Sequence, residues 1–110
     1  MPASFILRKA SNGQFHFNLT AGNNKNILSS ETYADKGGAK AGIESVRTNC
    51  AADGHYERRT SAKGQPFFVL LAANKEVIGR SEMYSSKAAM ERGIASVKRS
   101  GRKAVLRNEA

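Results

Sequence analysis

The segment GQFHFNLTAGN at residues 13–23 recurs as GQPFFVLLAAN at residues 64–74, and this repetition decides the fold. The offset of 51 positions holds without a gap through the following segment, as far as Val46 and Val97. A fixed register kept over so long a stretch identifies one structural unit written twice, and a period of this size is a signature of repeat architecture.

Each copy is predicted to fold as three antiparallel strands followed by a helix. Apolar segments flank Asn12-Gly13, and this dipeptide is a strong hairpin signal. A second turn at Asn23-Asn24 precedes a short third strand, because asparagine tolerates the left-handed region and bonds its own backbone. Apolar residues then recur at the spacing of one helix face. These residues are Ala39, Gly42, Ile43 and Val46 in the first copy, and Met90, Gly93, Ile94 and Val97 in the second.

The ends and the glycines of the predicted helices carry further information. Asp35 in the first copy, and Ser85 or Ser86 in the second, are predicted to cap the helices through their side-chain oxygens. Glycine inside a helix costs about 1 kcal/mol relative to alanine. Gly42 and Gly93 nevertheless recur on the apolar face, which predicts that each helix lies close against its sheet.

We therefore predict an α+β fold with two repeats, the first at residues 1–50 and the second, with a basic tail, at residues 51–110. A unit of about 50 residues buries too little apolar surface to be stable alone. The two copies are expected to pack together as one compact pseudo-symmetric unit.

The second strand of the second copy is apolar on both sides. Phe67, Val69 and Leu71 stand where the first copy has polar side chains, and strands that are apolar on both faces are usually covered on both. The first copy, a partner chain or the tail is expected to provide this cover. Because an exposed apolar strip often marks an interface, we predict that these three residues contact a protein partner or a second molecule of this protein.

The chain is strongly basic, with a formal net charge of +9, which favours polyanionic partners. Much of the excess lies near the end of the sequence, in Lys98, Arg99, Arg102, Lys103 and Arg107. These side chains are the candidate nucleic-acid contacts, since basic clusters bind phosphates without reading sequence. The alternative is a solvated helix end, where cations suit the helix dipole, followed by a frayed terminus.

The candidates for chemistry are few. Ser30-Glu31-x-Tyr33 recurs in the second copy, but at a strand-to-helix junction these residue types are expected to build a turn rather than to transfer protons. His16, His55 and Cys50 are too few and too far apart for a zinc site. Cys50 is interpreted as a tolerated linker residue. We predict no catalytic residue, no metal site and no cofactor, and we rank an enzyme last.

The repeated pattern Gly-Gln-Phe-x-Phe-x-Leu-x-Ala-x-Asn, then Ile-x-x-Ser-Glu-x-Tyr, and finally Gly-Ile-x-Ser-Val-Arg resembles the YegP-like family of small bacterial proteins. The resemblance runs from Phe5 to about Arg99 and departs at Pro66, where the first copy has Phe15. It implies paired β-β-β-α units and no known activity, because the family is uncharacterised.

Two functional hypotheses remain in front of the enzyme. The first is a non-enzymatic module that binds a protein or itself, and the second is low-specificity binding of nucleic acid. The element order α-β-β-β-α across the middle of the chain matches double-stranded-RNA-binding domains, but element order alone carries no function. No membrane-spanning segment and no secretory signal are predicted, so a cytoplasmic location is expected.

Overall fold

The computed structural model describes residues 3–110, which form one seven-stranded sheet with two helices on one face. The first copy contributes β1 (Ser4–Lys9), β2 (Phe15–Thr20), β3 (Asn26–Ser29) and α1 (Lys36–Asn49). The second copy contributes β4 (Tyr56–Thr60), β5 (Pro66–Leu71), β6 (Val77–Arg80) and α2 (Lys87–Ser100), and a final strand, β7 (Val105–Asn108), follows. The strands lie in the order β4-β5-β6-β3-β2-β1-β7.

The two copies meet at the centre of the sheet. β3 pairs with β6 in antiparallel fashion, with Ser29 opposite Arg80, and these residues are equivalent in the repeat. A pseudo-twofold axis therefore passes between the two strands. One hydrophobic core, made of buried residues from both copies, lies between the sheet and the helices. The predicted α+β fold with two packed repeats is confirmed, and the copies share a single sheet.

A β-bulge in each copy enlarges this core. Leu19 pairs with Leu28 and Thr20 pairs with Asn26, so Ile27 is the extra residue of the first copy. The same irregularity makes Ile78 the extra residue of the second copy. A bulge places two consecutive residues on one side of the sheet. Both isoleucines are consequently buried in the core, although strict alternation would turn them away.

The helix caps follow the predictions. The Asp35 carboxylate accepts a hydrogen bond from the Gly38 amide at 2.6 Å, and the Ser86 hydroxyl accepts one from the Ala89 amide at 3.1 Å. Between the two possible serines, the structure selects Ser86 as the cap of α2. Both helices therefore begin where a side-chain oxygen satisfies a free amide of the first turn.

The two repeated helical glycines make room for tyrosines. A methyl group at Gly42 or Gly93 would collide with the hydroxyl of Tyr33 or Tyr84, respectively. Each tyrosine ring stacks on the central phenylalanine of its copy with the centroids 6.3 Å apart. The close approach predicted from the glycines is thus made by a tyrosine that lies between helix and sheet.

Beyond α2 the tail forms β7, which pairs with β1 in parallel register, Ser4 opposite Val105 and Leu7 opposite Asn108. The expectation of a frayed terminus is wrong, and the antiparallel pairing predicted for the strands does not extend to this added pair. The amides of Val105 and Glu109 donate to the carbonyls of Ala3 and Leu7, and these bonds anchor the segment.

Cys50 is a core residue and not a tolerated linker residue. It is fully buried at the end of α1, and its equivalent, Gly101, lies at the end of α2. A methyl group at Gly101 would lie 2.7 Å from the Cys50 sulfur, so the two helix ends pack tightly against one another. Burial raises the pKa of the Cys50 thiol, which keeps the thiol protonated at neutral pH.

Candidate nucleic-acid interface

The positive charge of the protein is concentrated on the helical face. We define the helical layer as residues 36–49 and 87–103, which comprise α1, α2 and the turn after α2. This layer carries nine basic and two acidic side chains, a net charge of +7 out of the total of +9. The remaining residues carry nine basic and seven acidic side chains, a net charge of +2. One side of a small protein therefore presents nearly all of the excess charge.

The amphipathic pattern of α2 orients its basic side chains. Met90, Ile94 and Val97 are buried against the sheet, which turns the opposite flanks of the helix toward solvent. Arg92 and Arg99 are exposed and lie seven residues apart, so they share one flank of α2. Their side chains therefore project from the same side of the helix, about two turns apart.

A groove with a volume of about 230 Å³ runs between this flank and the turn that joins β2 to β3. Lys25 on the turn and Arg92 on the helix line opposite walls, with the polar side chains of Asn23 and Ser96 beside them. The turn is held in place because the side-chain oxygen Oδ1 of Asn23 accepts a hydrogen bond from the Lys25 backbone amide at 3.0 Å. We call this cleft the basic groove.

The pseudo-symmetric position lacks this charge. The equivalents of Lys25 and Arg92 under the 51-residue offset are Glu76 and Ala41. Sequence reasoning missed both basic residues because they lie outside the terminal cluster and far apart in the chain. Comparison of the copies position by position would have revealed them, since each replaces a residue of different charge in an otherwise repeated frame.

The five basic residues predicted at the end of the chain do not form one cluster. Arg99, Arg102 and Lys103 are exposed at the end of α2 and make no ion pair among residues 3–110. Arg107 lies in β7 opposite Ile6, on the face of the sheet away from the helices, and its guanidinium bonds the Glu109 carboxylate at 2.8 Å.

Lys98 is held at the protein surface by a network of charges. Its ammonium donates to the Asp53 carboxylate at 2.8 Å and lies 5.6 Å from the centroid of the Tyr56 ring. Arg58 bonds Asp53 and also makes two hydrogen bonds to Glu91. The Lys98 ammonium and then Arg58 lower the pKa of Asp53, and Arg58 lowers the pKa of Glu91. Lys98 is thus less available to an external phosphate than the residues that follow it.

The apolar strip of β5 lies on the face of the sheet away from the helices, but the assumption that it is exposed is wrong. Val69 is 0% exposed and Phe67 is 8% exposed, while Leu71 is partly buried. Long side chains on the neighbouring strands provide the cover. Arg59 stands opposite Phe67 and is ion-paired at 2.6 Å to Glu57.

Arg80 completes this cover from β6. It stands opposite Val69, and its guanidinium lies 5.9 Å from the centroid of the Phe67 ring. The aliphatic parts of arginine and glutamate can cover apolar surface while their charged ends stay in water. The strip is therefore covered by its own sheet, and not by the first copy or the tail. Its role as an interface stays a prediction.

The repeated Ser-Glu-x-Tyr motif builds turns, as predicted. The Ser30 hydroxyl accepts a hydrogen bond from the Phe17 amide at 2.8 Å and donates one to the Glu31 carbonyl. The Ser81 hydroxyl makes the equivalent two bonds in the second copy. Burial raises the pKa of Tyr33 and of Tyr84, so neither phenol is activated as a base at neutral pH.

The remaining titratable candidates stay apart in the structure. His16 lies on β2, and His55 ends a short 3-10 helix between the copies. Within residues 3–110, no three side chains of His, Cys, Asp or Glu come together in a way that could hold a metal ion. The helices of this region are also too short and too polar for any of them to span a bilayer.

Comparison with known proteins places the chain in a family. The model of a domain of unknown function, DUF1508, matches residues 10–57 and 61–107, one match for each copy. The UPF0339 protein YegP of Yersinia pestis is 49% identical over 104 residues, which cover 94% of this chain and 93% of the relative.

Two structures solved by NMR in solution share the fold. The yegP protein of E. coli, described as a protein of unknown function, is 43% identical with a TM-score of 0.93, and 99% of this chain and 94% of that chain are covered. A UPF0339 protein of Shewanella oneidensis is 44% identical with a TM-score of 0.91, and the shares covered are 98% and 92%. These relatives are themselves uncharacterised and supply no activity. The chain belongs to the YegP-like DUF1508 family, as a tandem pair of the family's domains.

Proposed function

We propose that this protein is a non-enzymatic module that binds the phosphate backbone of double-stranded nucleic acid through its helical layer, with little sequence specificity. The observation that carries the proposal is the net charge of +7 on the helical layer, against +2 on the rest of the chain. Charge gathered on one face attracts a polyanion and orients it, whereas the same charge spread evenly would only favour solubility.

The placement of individual residues supports contact with phosphates. Lys25 and Arg92 line the basic groove, and Arg99 continues the line of charge along α2. Arg102 and Lys103 extend it beyond the helix end. Arginine and lysine in such a line neutralise successive phosphates, and the counterions released on binding provide most of the free energy of non-specific association.

The surface favours a duplex over single strands. Proteins that bind single-stranded nucleic acid usually stack its bases on exposed aromatic rings. The large apolar side chains that residues 3–110 leave exposed are Met83, Val105 and Leu106, none of which is aromatic. Contacts are therefore expected to reach the backbone, which a duplex presents at regular spacing.

A protein interface at the β5 strip is the second candidate. It would require the side chains of Arg59 and Arg80 to move away from Phe67, which adds a cost that the exposed basic face does not carry. We therefore place it after nucleic-acid binding.

The test is a titration of labelled DNA and RNA, each double- and single-stranded, followed by fluorescence anisotropy at about 50 mM and about 200 mM salt. The decisive variant is Arg92→Gln with Arg99→Gln, which removes two charges from the helical layer. Truncation of the tail would also remove β7, so substitutions are the cleaner change. The matched control is Lys9→Gln with Lys63→Gln, which removes two charges outside this layer.

The original protein should bind duplexes more tightly than single strands, with affinity that falls steeply with salt. The Arg92/Arg99 variant should reduce the slope of log affinity against log salt by about 2, since each lost phosphate contact contributes about 1. The control should change the slope by much less. Absence of binding at the lower salt concentration, or equal losses in both variants, would refute the proposal.

A further inference from the structure

The two edges of the sheet are built differently. β4 forms one edge and carries Glu57, Arg58 and Arg59, whose charges are held in ion pairs. Charged side chains on an edge strand discourage pairing with another sheet. β7 forms the other edge, and there Val105 and Leu106 are 47% and 42% exposed. β4 thus carries charged side chains at three successive positions, whereas β7 has a single charged residue, Arg107, and exposes two apolar side chains beside an open strand.

The backbone of β7 is able to accept another strand. Val105 and Glu109 direct their amides toward β1, where they donate to the carbonyls of Ala3 and Leu7. Hydrogen bonding alternates along a parallel strand, so the backbone amides and carbonyls of Leu106 and Asn108 point away from the sheet. These groups are spaced to exchange hydrogen bonds with one extended segment.

We propose that the partner of this edge is β7 of a second molecule of the protein. The two β7 strands pair antiparallel and form a twofold-symmetric dimer with a continuous sheet. A symmetric dimer uses the same strand from both chains, so the register is fixed by one residue that faces its own counterpart. The charges on β7 select that residue as Asn108.

With Asn108 opposite Asn108, Arg107 of each molecule lies opposite Glu109 of the other, so the Arg107–Glu109 hydrogen bond of 2.8 Å within each chain is exchanged for one between the chains. Both side chains lie on the face of the sheet away from the helices, since Arg107 pairs with Ile6 and Glu109 is 3.6 Å from Arg8. Opposite charges directly across an antiparallel pair are stabilising, and such pairs come closest at positions without backbone hydrogen bonds.

Two other registers, centred on Arg107 and on Leu106, are less favourable. A dimer centred on Arg107 would place like charges opposite each other, which is destabilising. A dimer centred on Leu106 would require the backbone of Ala104 as a partner for Asn108, but the Ala104 amide already donates to the Ser100 carbonyl at 2.9 Å. Of these three registers, the one centred on Asn108 joins opposite charges and leaves the bonds of the turn intact, while the Ala110 amide, which donates to the Asn108 side chain at 3.1 Å, is released to pair with Leu106 of the other molecule.

The same register keeps the basic segments that precede β7 in the two molecules of the dimer apart. Lys103 precedes Asn108 by five residues, and a strand rises about 3.3 Å per residue. The Lys103 residues of the two molecules would then be roughly 30 Å apart, several times the Debye length of about 8 Å at physiological salt. Each molecule carries a net charge of +9, but electrostatic repulsion between the two basic ends would be screened by salt.

Sedimentation of the full-length protein over a concentration series from about 10 μM to about 1 mM tests the proposal, because so short an edge contact predicts weak association in the upper part of this range. The first variant is Asn108→Pro, which removes an amide that β1 does not use and so spares the β1–β7 pairing. Far-UV circular dichroism verifies its fold.

A charge exchange then tests the register. Arg107→Glu alone and Glu109→Arg alone should each weaken dimerisation by about tenfold or more, as like charges replace the opposed pair. The double variant Arg107→Glu/Glu109→Arg should restore it. The protein should thus dimerise and Asn108→Pro should be monomeric. A single species of monomer mass up to about 1 mM, a dimer that tolerates Asn108→Pro, or a charge exchange without recovery would each overturn the proposal.

Discussion

β1 and β4 occupy the same place in the two copies, yet their side chains differ. β1 is flanked by β2 and β7, and its residues from Ser4 to Leu7 are buried. β4 has only β5 beside it, and every residue after Tyr56 is exposed. The single strand added by the tail accounts for this difference, because it converts one of two equivalent edges into an interior strand. The two repeats thus share the residues that build each unit, and their side chains differ where the neighbouring strands differ.

The largest effect is expected when residues are exchanged between these strands. Leu7 is fully buried, and its equivalent is Arg58. Leu7→Arg places an unpaired charge in the core and should reduce the free energy of unfolding by about 4 kcal/mol or more. Urea denaturation followed by circular dichroism measures the change.

The reciprocal substitution, Arg58→Leu, is the control for this comparison. It lies on an exposed strand and should change the free energy of unfolding by about 1 kcal/mol or less, through lost ion pairs. A comparable loss in both variants would contradict the view that β7 creates the difference between β1 and β4.

A smaller effect, equal in the two copies, is expected at the helical glycines. Gly42→Ala and Gly93→Ala each push a methyl group against a tyrosine that is stacked on the sheet. Overpacking of this kind costs about 1–3 kcal/mol, although alanine itself favours the helix. Urea midpoints should fall by similar amounts in both variants. An increase in stability in either one would show that the tyrosine moves away without cost.

The smallest effect should be a pH dependence confined to the second copy. Asp53 and Glu91 have lowered pKa values in the folded protein, so the stability they contribute is present above their unfolded pKa values, which are about 4. It is lost as the pH falls through the folded values. Asp53→Asn with Glu91→Gln should therefore destabilise the protein slightly at pH 7.

The first copy has Lys40 in place of Glu91 and lacks this network. The urea midpoints of the variant and the original protein should consequently converge as the pH falls through the lowered pKa values of Asp53 and Glu91, where these carboxylates take up protons. A difference in stability that stays constant from neutral to acidic pH would show that packing, and not ionisation, underlies the effect of the substitutions.

Local rules predicted most of the fold. The repeat, the Asn12-Gly13 hairpin, the cap at Asp35, the second cap at Ser85 or Ser86 and the face of each helix depend on residues close together in the chain. Two expectations failed because they depended on distant neighbours. Cys50 resembled a linker residue, but it packs against Gly101. The Phe67 strip was expected to be covered by the first copy, a partner chain or the tail, but charged side chains from β4 and β6 cover it.

The candidate site was predictable only in part, for the same reason. The sequence indicates a basic protein and singles out the charged segment of Lys98, Arg99, Arg102, Lys103 and Arg107, because a cluster of charge is visible in a short segment. Of these, Arg99, Arg102 and Lys103 lie exposed at the end of α2. It does not bring Lys25 to Arg92, since these residues belong to different copies and meet only when α2 packs beside β3.

The sequence by itself determined the duplicated unit, its strands and helices and its net charge, because these follow from turn chemistry, periodicity and composition within each copy. Only the tertiary structure decided the strand order, the parallel pairing of β7 with β1 and the gathering of charge on one face. Those features depend on which strands and helices become neighbours. Contacts between remote segments form only when the whole core is buried, and no local pattern in the chain encodes them.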